Sequence, residues 1–280
     1  MLRPTALCLI GCVALFACAA GYAERETHAG LPAAQPGTPQ GDTQVLQNPG
    51  FLVGYSAQRR QPLWVAYRAA SLTGTPTLGP RPHGFEADGR VAVPVTSRDY
   101  GKSRYTRGHL APNFVIGKLY GAAAQRATFL MSNISPQRRR LNVLVWQRLE
   151  EAEADEVAPA AGELWVLTGP VFGAKPAMLK SGIPVPEAFY RIWLDLSPDG
   201  PRALAFIVPQ DVCGTEPLSR YLSSVDEIEQ RTQLDFFHEM DDGREAVLER
   251  SRDSAGWGLE AYDRKPPRYA DHFHALQCPD

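Results

Sequence analysis

The chain has no surplus of basic charge. Its 280 residues carry 29 lysines and arginines against 31 aspartates and glutamates, a formal net charge of −2. That excludes a protein that grips polyanions with its whole surface. Long apolar runs are missing after the first two dozen residues, so no membrane-spanning helix is expected there. Cysteine is scarce. Three of the five cysteines, Cys8, Cys12 and Cys18, fall near the N-terminus, which leaves Cys213 and Cys278 for the folded part. That excludes a disulfide-dense scaffold, and no ligand pairs have zinc-finger spacing. No internal repeat is seen, which argues against a solenoid. What remains is ordinary globular composition, 44% apolar, enough for one large domain or two small ones.

The N-terminus reads as a targeting signal. Arg3 precedes an apolar stretch from Ala6 to Ala17, and Gly21-Tyr22-Ala23 offers a small-residue cleavage site, the layout of a signal peptide over residues 1–23. Leu15-Phe16-Ala17-Cys18 fits a lipobox in part, so a lipid anchor on Cys18 is the alternative. Export is expected either way, to the periplasm, the outer membrane as a lipoprotein, or the medium. Residues 24–48 mix Ala, Gly, Pro, Thr and Gln and read as a flexible linker. The folded domain is expected over 49–280. In an oxidising compartment Cys213 and Cys278 suggest one disulfide. A metal site joining them to His272 and His274 is the less favoured reading.

Charge is unevenly spread. Between Arg98 and Arg148 there are ten basic residues and a single acid, Asp99, followed at once by Glu150, Glu151, Glu153, Asp155 and Glu156. A basic stretch of this kind attracts phosphodiesters and makes binding salt-dependent. Arg138, Arg139 and Arg140, taken alone, read as a solvated face. Periodicity predicts early strands over 50–66, loops over 72–96, a strand entering a turn at 105–113, a helix over 117–130 weakened by Gly121, and a short strand over 128–134. A helix over 141–155 follows. Further strands are expected at 163–171, 188–196 and 203–209. A helix should start at Ser224, which with Glu227 makes a capping box. Strands and helices mix without regular alternation, so the fold class is α+β.

The chemistry concentrates in residues 106–113, Thr106-Arg107-Gly108-His109-Leu110-Ala111-Pro112-Asn113. Histidine, with an unperturbed pKa of ~6.5, suits proton abstraction near neutrality. Arg107 offers a fork of donors that fits phosphate. Gly108 permits close backbone approach or positive φ. On the helix at 141–155, Asn142 and Glu150 are eight residues apart, ~80° around the axis, so both can face one cleft. Trp146 reads as core packing.

Downstream stand Ser132-Asn133-Ile134-Ser135-Pro136-Gln137, then Asn142, Trp146 and Leu149-Glu150. Together with Arg107-Gly108-His109 these blocks resemble, in order, the D-R-G-H-x-A-P, S-N-x-x-P-Q and N-x-x-x-W-x-x-L-E patterns of the DNA/RNA non-specific endonuclease family, the ββα-metal nucleases. Further likeness at Gly54-Tyr55, Leu63–Tyr67, Leu167–Phe172, Ile183–Tyr190, Ser224–Glu229 and Leu234–Phe237 extends the resemblance over about residues 49–240. It departs from the pattern twice. Thr106 stands where the family has aspartate, and Ala154 where it has a second helix arginine.

The resemblance implies a central, mostly antiparallel sheet flanked by helices, with a ββα-metal unit. It implies a sequence-tolerant phosphodiester hydrolase acting on DNA and RNA. His109 would be the general base. Asn142 would be the direct ligand of Mg²⁺, with Mn²⁺ as an alternative, and Glu150 would hold the ion through water. Arg107 would neutralise the phosphate, and Asn133 would orient His109 or the phosphate. Arg104, Arg138, Arg139 and Arg140 are the candidate substrate contacts, and Arg148 or Arg138–Arg140 the replacements for the arginine missing at Ala154. The alternative is a catalytically weak, extracellular nucleic-acid-binding protein of the same fold, for which Thr106 and Ala154 speak. No heptad pattern marks an oligomer interface, so oligomeric state is open.

Overall fold

The computed structural model describes residues 30–273 except 36, 37, 39–42, 76 and 197–199. The signal segment, Cys18 and Cys278 lie outside the described residues. In chain order the elements are β1 (Ala33–Ala34), β2 (Thr43–Asn48), β3 (Phe51–Ser56), β4 (Gln61–Ala70), β5 (Tyr105–His109), α1 (Asn113–Ala127), β6 (Ile134–Arg138), the long helix α2 over 141–161, β7 (Glu163–Val171), β8 (Ala188–Asp195), β9 (Arg202–Pro209), β10 (Leu222–Ser223), α3 (Val225–Thr232), β11 (Leu234–Asp235), α4 (Asp242–Glu249) and α5 (Leu259–Arg264). Seven strands form one antiparallel sheet in the order β10-β9-β8-β7-β4-β3-β2. The α+β class is borne out.

Alternation along the strands sends side chains to two cores. Phe51, Val53, Val65, Tyr67, Val166, Trp193 and Phe206 share one face with Leu141, Val145, Trp146 and Leu149 of α2. Leu52, Trp64, Ala66, Ile192 and Leu194 share the other with Val225 and Ile228 of α3 and Leu248 of α4. Because both faces are covered, β8 is buried at every position, and its sequence reads as a near-continuous apolar run interrupted by Arg191.

β5 and β6 stand apart as a two-stranded antiparallel ribbon, Arg107 opposite Pro136 and His109 opposite Ile134. The chain then enters α2. This is the ββα unit implied by the motifs. Gly108 serves close approach: a Cβ there would lie 2.0 Å from the Gln137 side chain on the facing strand.

Three expectations change. The segment 43–48, expected as linker, is the edge strand β2, paired along its length with β3. Its sequence Thr-Gln-Val-Leu-Gln-Asn is mostly polar, and Gln44, Val45 and Gln47 are exposed on the sheet edge. The short strand expected over 128–134 begins only at Ile134. Thr128 instead ends α1, its hydroxyl donating to Gln125 O at 2.7 Å. Helix α1 itself starts at Asn113, and Gly121, at φ 89°, kinks it. The other strands and the helix start hold their places. Ser224 Oγ accepts from Glu227 N at 3.2 Å, while the Glu227 carboxylate accepts from Ser223 Oγ rather than closing the box.

Helix α2 is not uniform. Leu141–Trp146 and Glu153–Val157 are π-helical turns, separated by the α-helical Gln147–Ala152. Such turns widen the helix locally and are frequent at functional sites. Glu153 does not share the cleft with Asn142. It is fully buried against the sheet, where its carboxylate accepts from Tyr67 Oη at 2.7 Å, Trp193 Nε1 at 2.9 Å and Arg191 Nη1 at 3.0 Å.

Candidate active site

A cavity of about 570 Å³ opens where the ribbon, the start of α1 and helix α2 meet. Arg107 and His109 enter it from β5, Asn142, Gln147, Glu150 and Glu151 from α2, and Phe114 from α1. The residues singled out in two separate sequence blocks therefore meet at one place.

His109 sits behind the cavity wall, only 9% exposed. Phe129 meets its ring edge-on at 4.8 Å and Phe85 lies 5.3 Å away. This apolar surround makes an imidazolium costly. Burial, aided by the nearby Arg81 charge, holds the His109 pKa down at about 3, so the ring is neutral at any working pH. Its Nε2 is buried without a hydrogen-bond partner among the described residues. An orphan ring nitrogen in a polar cavity is suited to take a proton from water or substrate. The Arg107 guanidinium lies over the Phe85 ring at 5.0 Å, which fixes its stem and leaves its donors near the opening.

Asn142 is held by Thr106. Its Nδ2 donates to Thr106 Oγ1 at 2.9 Å, and Thr106 Oγ1 donates onward to Gln137 O at 2.9 Å. The two bonds fix the amide so that Oδ1 is the atom left to act. This is the physical answer to the aspartate-to-threonine departure. A hydroxyl anchored on the strand backbone does the orienting a carboxylate would do, without adding charge.

Glu150 lies one turn beyond Gln147 on the same helix face. Burial raises its carboxyl pKa to about 7, against the lowering pull of Arg191, whose Nη2 is 3.9 Å away. It is thus half-protonated near neutrality unless a cation joins it. Asn142 Oδ1 and the Glu150 carboxylate bring oxygen donors to the same cavity, the donor type that suits a hard divalent ion.

Several predicted residues stand outside the cavity lining. Asn133 is fully buried and does not line the cavity. Its Oδ1 accepts from Ala111 N at 2.9 Å, and its Nδ2 donates to Ala111 O at 3.1 Å and Thr128 O at 2.9 Å. It clips the turn that follows His109, so it positions rather than contacts. Ser132 Oγ donates to the buried Asp88 at 2.6 Å. Arg104, Arg138, Arg139 and Arg140 are all absent from the cavity lining. Arg138 pairs with Asp211, and Arg140 Nη1 donates to Cys213 O at 2.7 Å. Arg148, a suggested stand-in for the missing arginine, is 1% exposed and donates to Glu216 O and Tyr262 O at 2.7 and 2.6 Å. Cys278 and His274, proposed partners of Cys213, fall outside the described residues.

The sequence reading missed Arg81 and Arg268, which bring two further guanidinium groups to the cavity beside Ala154. Arg268 pairs with Glu151 at 3.2 Å, and Tyr269 lines the same edge. Neither arginine belongs to a motif. Arg81 comes from the long loop before β5 and Arg268 from the tail after α5.

A family model described as DNA/RNA non-specific endonuclease matches residues 29–243. Mitochondrial nuclease EXOG of Danio rerio is 28% identical over 239 residues, covering 77% of this chain and 68% of that protein. A nuclease of Nostoc sp. is 27% identical over 226 residues, 76% of this chain and 80% of its own length. A nuclease of Serratia marcescens is 28% identical over 197 residues, 66% of this chain and 71% of its own length. In fold, the chain superposes on a crystal structure of the EndoG/EndoGI complex with a TM-score of 0.66 at 20% identity, over 80% of this chain and 94% of that one.

Proposed function

This chain belongs to the DNA/RNA non-specific endonuclease family, and from that premise we propose that it hydrolyses phosphodiester bonds in DNA and RNA with His109 as general base and a Mg²⁺ ion held through Asn142. The observation that carries the reading is the meeting of Arg107, His109, Asn142 and Glu150 around one cavity, with the Asn142 amide oriented by Thr106.

Arg107, with Arg81 across the cavity, binds the scissile phosphate and balances charge that grows on it. His109 Nε2 takes a proton from the attacking water. Asn142 Oδ1 would hold the ion directly, and Glu150 would hold it through water. When bound, the ion supplies Lewis-acid stabilisation of the phosphate and of the leaving oxygen; Mn²⁺ can take the same oxygen set. Contacts of this kind address phosphate and sugar, so cleavage is sequence-tolerant. Export, a signal peptide over 1–23 with Cys18 as the alternative anchor, and a Cys213–Cys278 disulfide belong to the same proposal.

The reading is tested by incubating closed circular plasmid and ribosomal RNA with the full chain. With Mg²⁺ the plasmid is nicked, linearised and then fragmented, and the RNA is degraded; EDTA stops both. Intact substrates under Mg²⁺, Mn²⁺ and Ca²⁺ alike would leave the binding-protein alternative standing.

A pH dependence follows from Glu150. Its raised pKa, about 7, means that the carboxyl is neutral below that pH and ionised above it. Ion binding must expel the proton, so Mg²⁺ affinity falls as pH drops below 7, by up to about tenfold per pH unit. Calorimetric titration between pH 5.5 and 8.5 measures this. In Glu150→Gln the affinity is weak and nearly flat across the range. An equally steep slope in that variant assigns the proton elsewhere.

A further inference from the structure

Charge is divided unequally around the catalytic cavity. Arg107 reaches it from β5 and Arg81 from the loop before that strand. Among the described residues, helix α2 lines it with Glu150, Glu151 and Asp155 and with no cation. A polyanion lying along α2 would meet those carboxylates and be repelled. The tail after α5 brings the one cation found on that edge. Arg268 lines the cavity there, and its Nε pairs with Glu151 Oε1 at 3.2 Å.

Arg268 is carried on an anchored link. Tyr262 of α5 is buried. Its backbone oxygen accepts from Arg148 Nη2 at 2.6 Å, and its Oη lies 3.1 Å from both Glu151 O and Asp155 Oδ2. Helix α5 is thereby docked on α2 itself. Pro266 and Pro267 follow and stiffen the chain by fixing φ. Pro267 is buried, and its oxygen accepts from Ala270 N at 3.1 Å, which closes a turn around Arg268. A side chain on such a link loses less freedom when it binds. The Arg268 side chain is 61% exposed, and its ion pair engages Nε. The two Nη nitrogens are the part of the fork that fits a phosphate.

We propose that Arg268 is a substrate-binding residue that grips a backbone phosphate flanking the scissile one. Glu151, its partner, stands nine positions after Asn142 on α2, about 13 Å along the axis, farther than one phosphate group spans. Arg268 therefore takes a different phosphate from the one at Arg107. It adds affinity rather than chemistry, and it draws the strand against a helix wall that would otherwise repel it. The inference rests on the catalytic reading above, which places the scissile phosphate at Arg107. Arg268 lies beyond residue 243, where the family match ends, so this wall of the cavity is built from the chain's own C-terminal region.

Fluorescence anisotropy of a labelled single-stranded oligonucleotide in EDTA, over a series of salt concentrations, measures binding by the full chain without cleavage. Arg268→Ala is expected to raise Kd by about tenfold, the size of one charge-assisted contact. The slope of log Kd against log salt should fall by about 0.7, one phosphate contact on a single strand. Arg268→Lys keeps the charge and most of the slope. Losing Arg268 also unmasks Glu151, so the double variant Arg268→Ala/Glu151→Gln separates contact from shielding: its Kd should stay as high as in Arg268→Ala. With Mg²⁺ present, the loss in Arg268→Ala falls on KM rather than kcat. An unchanged Kd and slope in Arg268→Ala overturns the proposal. So does a double variant restored to wild-type affinity, since Arg268 would then only shield Glu151. Neither result touches the catalytic reading, which is judged by the wild type's own Mg²⁺-dependent cleavage. A wild type that cleaves nothing, yet binds through Arg268, overturns that reading and keeps Arg268 as a phosphate contact.

Discussion

Replacement of His109 by alanine lowers kcat/KM on both DNA and RNA by about 10²–10⁴-fold, or ~3–5 kcal/mol of transition-state stabilisation. The loss should fall on kcat, because His109 is walled by Phe85 and Phe129 and offers substrate one nitrogen, not a binding surface. Substrate affinity, carried by Arg107 and Arg81, changes little. Fluorescence anisotropy with labelled oligonucleotides in EDTA separates the two: binding persists while cleavage is lost. Because His109 packs against Phe85 and Phe129, His109→Ala also opens a space there, and calorimetry checks that the variant is folded under the assay conditions. A variant that cleaves one substrate normally and the other not at all would mean that two different bases operate.

Replacement of Glu153 by alanine unfolds rather than inactivates. Glu153 and Arg191 are both 0% exposed and 3.0 Å apart, and the same carboxylate takes hydrogen bonds from Tyr67 and Trp193. Removing it leaves a guanidinium buried with Glu150, 3.9 Å away, as the remaining carboxylate among the described ion pairs. Breaking a buried pair from one side costs about 3–5 kcal/mol, a Tm lower by roughly 6–20 °C in a domain of this size. Glu153→Gln keeps a hydrogen-bonding oxygen and should cost less. The consequence reaches the site, since Arg191 Nη2 also approaches Leu110 O at 3.5 Å, one residue past His109. Differential scanning calorimetry on the two variants reads the effect. An unchanged Tm in Glu153→Ala would mean that water enters and solvates Arg191.

What could be read from sequence divides along physical lines. Arg107, His109, Asn142 and Glu150 were legible because each lies in a short block whose spacing carries its geometry, on a strand or a helix turn. The strands β7, β8 and β9 were legible from apolar runs bounded by turn residues. Of the two roles offered for Asn133, orienting His109 or the phosphate, its hold on the turn after His109 favours the first; only the fold shows Ala111 and Thr128 claiming its amide. Glu153 looked like one of a solvated acidic run, and nothing local announces that Arg191, 38 residues on, waits for it in the core. Regular helix spacing also could not foresee the π turns that flank Glu150. Strand β2 is polar on an exposed edge, so it read as linker. Arg81 and Arg268 arrive from opposite ends of the domain, and only tertiary packing brings them to the cavity that Ala154 leaves open.

The most direct test of the site is the rate of plasmid and RNA cleavage against Mg²⁺ concentration for wild type and Thr106→Val. The substitution keeps shape and removes the hydroxyl that holds Asn142. Loss of a group that orients a metal ligand typically costs 10–100-fold in affinity (about that range). The half-saturating Mg²⁺ concentration should therefore rise by about that factor on both substrates, with the rate at saturating ion close to wild type. Cleavage that survives EDTA in wild type, or a Mg²⁺ dependence identical in the two proteins, would contradict a catalytic ion held through Asn142.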